Sequence, residues 1–189
     1  MSPTAAERGR EVRRKLLDAA VELIVERGWA AVSTRVLAER AGVAPGLVHY
    51  HFDSVQALLT EAATGQMREA AALIGPALAA ARTPAEALGL LMASLDSYTG
   101  TDPMSLLFVE TYLAAARDPQ LRQVVAGLLL EFRAQLAAWL AEHDVPDPDT
   151  TATVLGAAID GLVMHRAMDP TVTGDVITPV LARVFRDAT

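Results

Sequence analysis

In the pairs Thr83-Pro84, Asp102-Pro103, Asp118-Pro119 and Asp147-Pro148, a residue whose side-chain oxygen can cap a helix stands directly before a proline. Proline at the first helical position gives up no needed N–H, and the oxygen before it can accept from the open first turn. Each pair therefore predicts a helix start. Between these marks, apolar residues recur at three and four, and no stretch alternates apolar and polar residues as a half-buried strand would. Alanine (36) and leucine (25), both strong helix formers, fill 61 of the 189 positions. The chain is expected to be all-α.

Helices are predicted near 7–27, 34–41, 45–51 and from 53 or 54 to about 74, where Gly75-Pro76 bends or ends the fourth. Further helices are predicted near 84–99, 103–116, 119–143, 148–168 and 175–187. Gly28 is the expected left-handed stop of the first helix, and Gly42 ends the second. A boundary is placed near residue 55, giving domains 1–55 and 56–189.

Charge is divided unevenly. Residues 1–60 carry a net +1 and the remainder −8, within a total of −7. Five of the eight N-terminal cations lie between Arg8 and Lys15, so a locally basic arm joined to an acidic body points to a separate nucleic-acid surface. With no cysteine, disulfides, thiolate zinc sites and cysteine nucleophiles are excluded. The start has no apolar h-region, and no uninterrupted run of 18 apolar residues occurs. Neither a signal peptide nor a membrane partner is expected, and the cytoplasm is the expected location. Motifs of hydrolases, dinucleotide sites, zinc proteases and P-loops are absent. His49 and His51 point to different sides of a helix, so no metal, cofactor or catalytic residue is expected.

The stretch Ser33 to Phe52 carries the most information. A brief amphipathic helix is followed by a turn containing Gly42, then by a second short helix held to the core by Val48 and Phe52. Val36, Leu37 and Ala41 are expected inward on the first of these helices. Pro45, Gly46, Leu47, His49 and Tyr50 are left outward on the second. Gly46 is a poor helix former, and close approach to a DNA backbone would explain it. The run His49-Tyr50-His51 can reach phosphates on the walls of a major groove. Two other readings fit an all-helical chain: a small-molecule carrier, or a helical-bundle enzyme that binds no DNA.

These residues resemble the DNA-binding region of the TetR family of transcriptional regulators. The matching features are Gly28-Trp29 after the first helix, Leu37-Ala38-Glu39-Arg40-Ala41-Gly42-Val43-Ala44, Gly46, the cluster His49-Tyr50-His51-Phe52, and Ser54-Val55-Gln56-Ala57-Leu58. The chain departs from the pattern where Ala44 replaces a capping serine, Val55 a lysine, and His49 and His51 tyrosines. The resemblance implies a ligand-responsive regulator, a repressor released from a palindromic double-stranded operator by a small-molecule effector. It implies phosphate contacts from Ser33, Arg35, His49, Tyr50 and His51, and it places Thr34 among the DNA-binding residues. Base-edge contacts fall to Pro45, Gly46, Leu47 and Arg35.

A homodimer is implied too, since a two-fold pair presents reading helices about 34–36 Å apart. Its expected interface pairs Val124, Leu128 and Phe132 with Leu155, Ile159 and Leu162, helped by close approach at Gly156, Ala157 and Gly161. Candidate effector walls are Met92, Leu95, Met104, Phe108, Tyr112, Trp139 and Met164, with Asp160 and His165 as polar points. A lone acid among apolar walls would suit a cationic or hydroxylated apolar compound.

Overall fold

The structure, a computed structural model, describes residues 4–185. Every regular element among the described residues is helical: α1 (Ala5–Arg27), α2 (Thr34–Ala41), α3 (Gly46–His51), α4 (Val55–Ala72), α5 (Ile74–Ala80), α6 (Pro84–Ser94), α7 (Pro103–Ala115), α8 (Pro119–Glu142), α9 (Pro148–Arg166) and α10 (Gly174–Leu181). Short 3-10 turns lie at Trp29–Ala31 and Ala182–Phe185. They form two compact units. One comprises the residues up to Met67 together with Leu106–Val124; the other comprises Arg68–Ser105 and Val125 onward. These units do not coincide with a division at residue 55, because α4 carries the first to Met67 and part of α7 and α8 joins it.

The four pairs expected to start helices, at Pro84, Pro103, Pro119 and Pro148, each open one. Thr83 accepts from Glu86 N–H, Asp102 from Met104 and Ser105, and Asp118 from Gln120 and Leu121. Asp147 differs. It is left-handed at φ 45° and its side chain caps nothing, so proline alone sets that start. α1 begins two residues before its expected position because Thr4 and Glu7 form a reciprocal capping box. Gly28 has φ 80° and ψ 158°, a positive-φ extended residue and not the left-handed stop expected of it. The fourth helix ends at Ala72, and Gly75-Pro76 falls inside the first turn of α5, where a missing N–H costs nothing. α6 stops at Ser94, and the next residues close back in three-residue turns. The final predicted helix ends at Leu181 and tightens to 3-10 after Pro179; Arg186 and Asp187 lie outside the described residues.

α8 has no uninterrupted apolar run of 18, yet it is apolar on average. It is long and apolar enough, by length and composition, to cross a bilayer, and Glu131 and Arg133 conceal this from a search for uninterrupted apolar runs. Those same charges at its middle would each cost about 2.5–3.5 kcal/mol at a membrane centre. Leu136, Ala137 and Leu140 of α8 are instead buried in the second unit's core.

Two polar clusters hold that unit's loops. Arg166, only 7% exposed, donates to the carbonyls of Leu95, Tyr98 and Val172 at 2.5, 3.0 and 2.9 Å and lies 3.6 Å from Asp96. It ties α9 to the turn just past α6 and to the segment before α10. Asp102 is opposed by burial, yet its hydrogen bonds from Ser105 and Thr99 prevail and hold its carboxyl below the usual range. Between these clusters Gly100, at φ 84°, donates to Ser105 Oγ and packs on the Ala167 backbone.

Candidate nucleic-acid interface

The first unit's core dictates which face of the helix pair is free. Leu16, Leu23, Ile24, Leu37, Val48, Leu58 and Leu59 are fully buried, and Phe52 nearly so. On α2 the inward pair is Leu37 and Ala38, whereas Val36 and Ala41, expected inward, are half-buried. Gly42 takes up left-handed geometry (φ 65°, ψ 37°) and donates to Ala38 O and Glu39 O. This turn swings α3 across α2.

The outward face collects the expected nucleic-acid residues. Ser33, Arg35, Pro45, Gly46, His49 and Tyr50 are exposed; Thr34, Leu47 and His51 are half-buried beside them. Tyr50, at 79% exposure, is conspicuous for a large aromatic residue with no role in the core. Its ring meets that of His51 edge-on at 5.0 Å. Ser33 stands at the N-cap of α2, but its hydroxyl makes no cap bond. A Cβ on Gly46 would meet nothing within 4 Å, so packing within the chain does not demand glycine there.

The basic arm is corrected. Residues 5–15 belong to α1, and cations among them are engaged within the chain. Arg13 pairs with Glu61 at 2.6 Å, Arg14 with Asp18 at 3.6 Å and Lys15 with Glu11 at 2.9 Å. Arg40 is engaged as well, reaching Glu22 at 3.0 Å and Glu26 at 2.5 Å, which clamps α2 to α1 and raises the guanidinium pKa through those hydrogen bonds.

Sequence reasoning missed the braces behind the helix pair. Trp29 N–H donates to Glu110 at 3.0 Å and its indole N–H to Gln56 at 2.9 Å. Partners 81 and 27 residues away leave no local pattern to find.

The other expected residues are placed unit by unit. Met92, Leu95 and Trp139 lie in or against one core cluster of the second unit, and Trp139 stacks on His143 with centroids 3.7 Å apart. Met104 and Asp160 are half-buried in that unit; Phe108 and Tyr112 are half-buried in the first unit's α7 segment. Met164, 54% exposed, and His165 turn outward, so neither walls an interior site of the chain as expected. A cleft between α6 and α10, lined by Asp96, Asp175 and Thr178 among others, includes Met92 from the expected set.

Of the expected interface, Leu155 and Leu162 are buried in the chain's own core. Val124, Leu128, Phe132 and Ile159 are half-buried. Gly156 is needed inside the unit, where a Cβ would stand 3.2 Å from Phe132 Cε1, while a Cβ at Gly161 would meet nothing. The outward apolar side of α9 is instead Val154, Ala157, Gly161 and Met164.

A short helix pair with a glycine turn, an aromatic and imidazole-bearing second helix left exposed, and a larger helical body define a helix-turn-helix regulator. Comparison with known proteins supports the same class. Residues 82–187 match the Tetracyclin repressor-like C-terminal domain, and residues 16–62 match the bacterial regulatory proteins of the tetR family. The chain belongs to the TetR family. It is 29% identical over 178 residues to the transcriptional regulator BetI of Agrobacterium fabrum, covering 93% of this chain and 86% of that protein. It is also similar in structure to the regulator SCO7518 of Streptomyces coelicolor (31% identity, TM-score 0.77, covering 93% of this chain and 98% of that one). The multidrug binding protein EbrR, solved with imidazole, matches at 30% identity and TM-score 0.73 over 98% and 97% of the two chains. The protein is thus a ligand-responsive transcriptional regulator that dimerises and binds operator DNA, in a family of regulators and not of enzymes.

Proposed function

We propose that the chain is a cytoplasmic repressor that reads a palindromic operator through α3 and is released by a small aromatic or cationic compound. Residues 1–55 carry the reading and 56–189 the effector response and pairing. The observation that carries the reading is the exposed set Arg35, Pro45, Gly46, His49 and Tyr50 around a buried Val48 and Phe52. Ser33, Arg35, His49, Tyr50 and His51 hold phosphates, Thr34 is among the DNA-binding residues, and Pro45, Gly46, Leu47 and Arg35 face base edges. Leu47 has only an apolar surface to offer a thymine methyl, which leaves bidentate readout to Arg35.

Gly46 separates binding from folding. Gly46→Ala is expected to raise stability by up to ~1 kcal/mol, since alanine is the better helix former and its Cβ has open space. The added methyl stands where a groove wall would come, so operator affinity is expected to fall about tenfold, and with Tyr50→Ala at least as far. Thermal melts, and mobility-shift titrations on a duplex that the wild type selects from a randomised library, check both signs. Unchanged affinity in both variants would remove α3 from the interface.

For the effector, Met92, Leu95 and Trp139 supply apolar walls in one cluster, with Met104 and the carboxylate of Asp160 in the same unit. EbrR, which was also solved with malachite green, supports an aromatic cation. Malachite green is expected to raise the melting temperature of the wild type and to lose most of that effect in Asp160→Asn. An equal shift in both would exclude Asp160 as the counter-charge.

A further inference from the structure

The end of α3 rests on a seat made by α1 and anchored by α4. Arg13 places its guanidinium carbon 4.8 Å from the centroid of the Phe52 ring, and its Nη2 donates to Glu61 Oε2 at 2.6 Å. Glu61 belongs to α4, 48 residues further along the chain. One turn before Arg13, a Cβ at Gly9 would come 3.9 Å from His51 Cε1, so the α1 backbone passes directly beside that imidazole. Gly9 and Arg13, four residues apart, share a face of α1. His51 and Phe52, the last residue of α3 and its C-cap, are thus touched by α1 at two successive turns. The edge of Tyr50 on His51 continues the chain of contacts outward.

Arg13 and Glu61 are each about two-fifths exposed, at 42% and 41%, and an ion pair of that exposure alone contributes little. Its geometry matters more than its charge. A planar guanidinium held from one side by a carboxylate can lie flat over an aromatic ring, and a lysine ammonium cannot reproduce that. Phe52 is only 6% exposed with Arg13 over its ring, so Arg13 is part of the cover on a side chain that ties α3 to the core.

We propose that Arg13 is a positioning residue for DNA reading: held by Glu61, it seats Phe52 and His51 and so sets the angle at which α3 presents His49 and Tyr50, without itself taking a phosphate. This rests on α3 being the reading helix. The rival role, a phosphate ligand within the basic run Arg8 to Lys15, makes the opposite prediction at Glu61. If Arg13 served phosphate, removing its competing carboxylate and one negative charge would tighten binding. If Arg13 positions α3, the same change loosens it.

The test uses the full-length protein and a duplex selected by the wild type from a randomised library, with affinities taken across a salt series. Arg13→Ala and Glu61→Gln are each expected to weaken binding five- to tenfold, and the double variant no further than either single one. The slope of log affinity against log salt should stay at its wild-type value, whereas loss of a phosphate contact would lower it by about one. Arg13→Lys, which keeps the charge and loses the planar guanidinium over the ring, should recover little. Far-UV melts of all four variants establish that each is folded; Glu61→Gln and Arg13→Lys carry the test if Arg13→Ala is not. A reduced slope in Arg13→Ala, tighter or unchanged binding in Glu61→Gln, or full recovery in Arg13→Lys would overturn the proposal. Tyr50→Ala in the same series distinguishes the two failures. Wild-type affinity there removes α3 as the reading helix, and lost affinity there with neutral Arg13 variants removes only the seat.

Discussion

Gly100→Ala is expected to lower the melting temperature by about 6–20 °C. Two effects add at this position. The backbone sits at φ 84°, a region that costs a side-chain-bearing residue about 1–3 kcal/mol. The new Cβ would also overlap the backbone nitrogen of Ala167 and stand 2.8 Å from its Cα. Overpacking against side chains typically costs about 1–3 kcal/mol, and a backbone neighbour has less freedom to yield. Together they approach ~3–5 kcal/mol, and each kcal/mol moves the melting point about 2–4 °C in a chain of this size. Ala167 immediately follows Arg166, whose guanidinium holds the carbonyls of Leu95, Tyr98 and Val172, so a shift there disturbs three segments at once. Circular-dichroism melting gives the result directly. A drop of under 2 °C would mean that the loop at residues 99–102 moves aside freely.

Gly161→Arg is expected to convert the dimer to a monomer of the chain's own 20.0 kDa and to cut operator affinity at least a hundredfold. Leu155 and Leu162 are already buried by the chain itself. The apolar side of α9 left for a second copy runs through Val154, Ala157, Gly161 and Met164, with Val154 and Met164 about half exposed. A Cβ at Gly161 meets nothing within its own chain, so the unit tolerates a side chain that an opposing helix would not. Two linked half-sites gain about 10²–10⁴ in affinity over one, and a monomer forfeits it. Sedimentation and mobility-shift titration measure the two effects, and melting at matched concentration checks the fold. A variant that still sediments as a dimer would move the interface elsewhere on the body.

Punctuation was the most legible part of this chain. Threonine or aspartate before proline places an oxygen and a preset φ side by side, and the four pairs read as starts open helices, whereas Asp169-Pro170 lies in a turn and Thr178-Pro179 falls inside α10. Where a helix ends without glycine, as at Ser94, local residues gave no stop signal, and the turn just past it is tied by Arg166 reaching back from α9. The exposed reading face was legible for a related reason: Val48 and Phe52 are spaced to be buried, which forces Tyr50 outward. The body was less so. α9 is apolar on nearly every side, so spacing alone could not say which stripe its own chain would take, and the one expected to meet a partner proved to be partly internal. Ion pairs separated by tens of residues, such as Arg13 with Glu61, have no local pattern, so a run of cations in the sequence looked freer than it is.

The two tryptophans divide between the two units. Trp29 is tied by its indole N–H to Gln56, and Trp139 lies against the His143 ring. Each unit therefore holds one intrinsic fluorophore in a distinct setting. Replacing either by phenylalanine leaves a single emission signal, through which operator arrival and effector arrival can be timed separately in the same molecule without any attached dye.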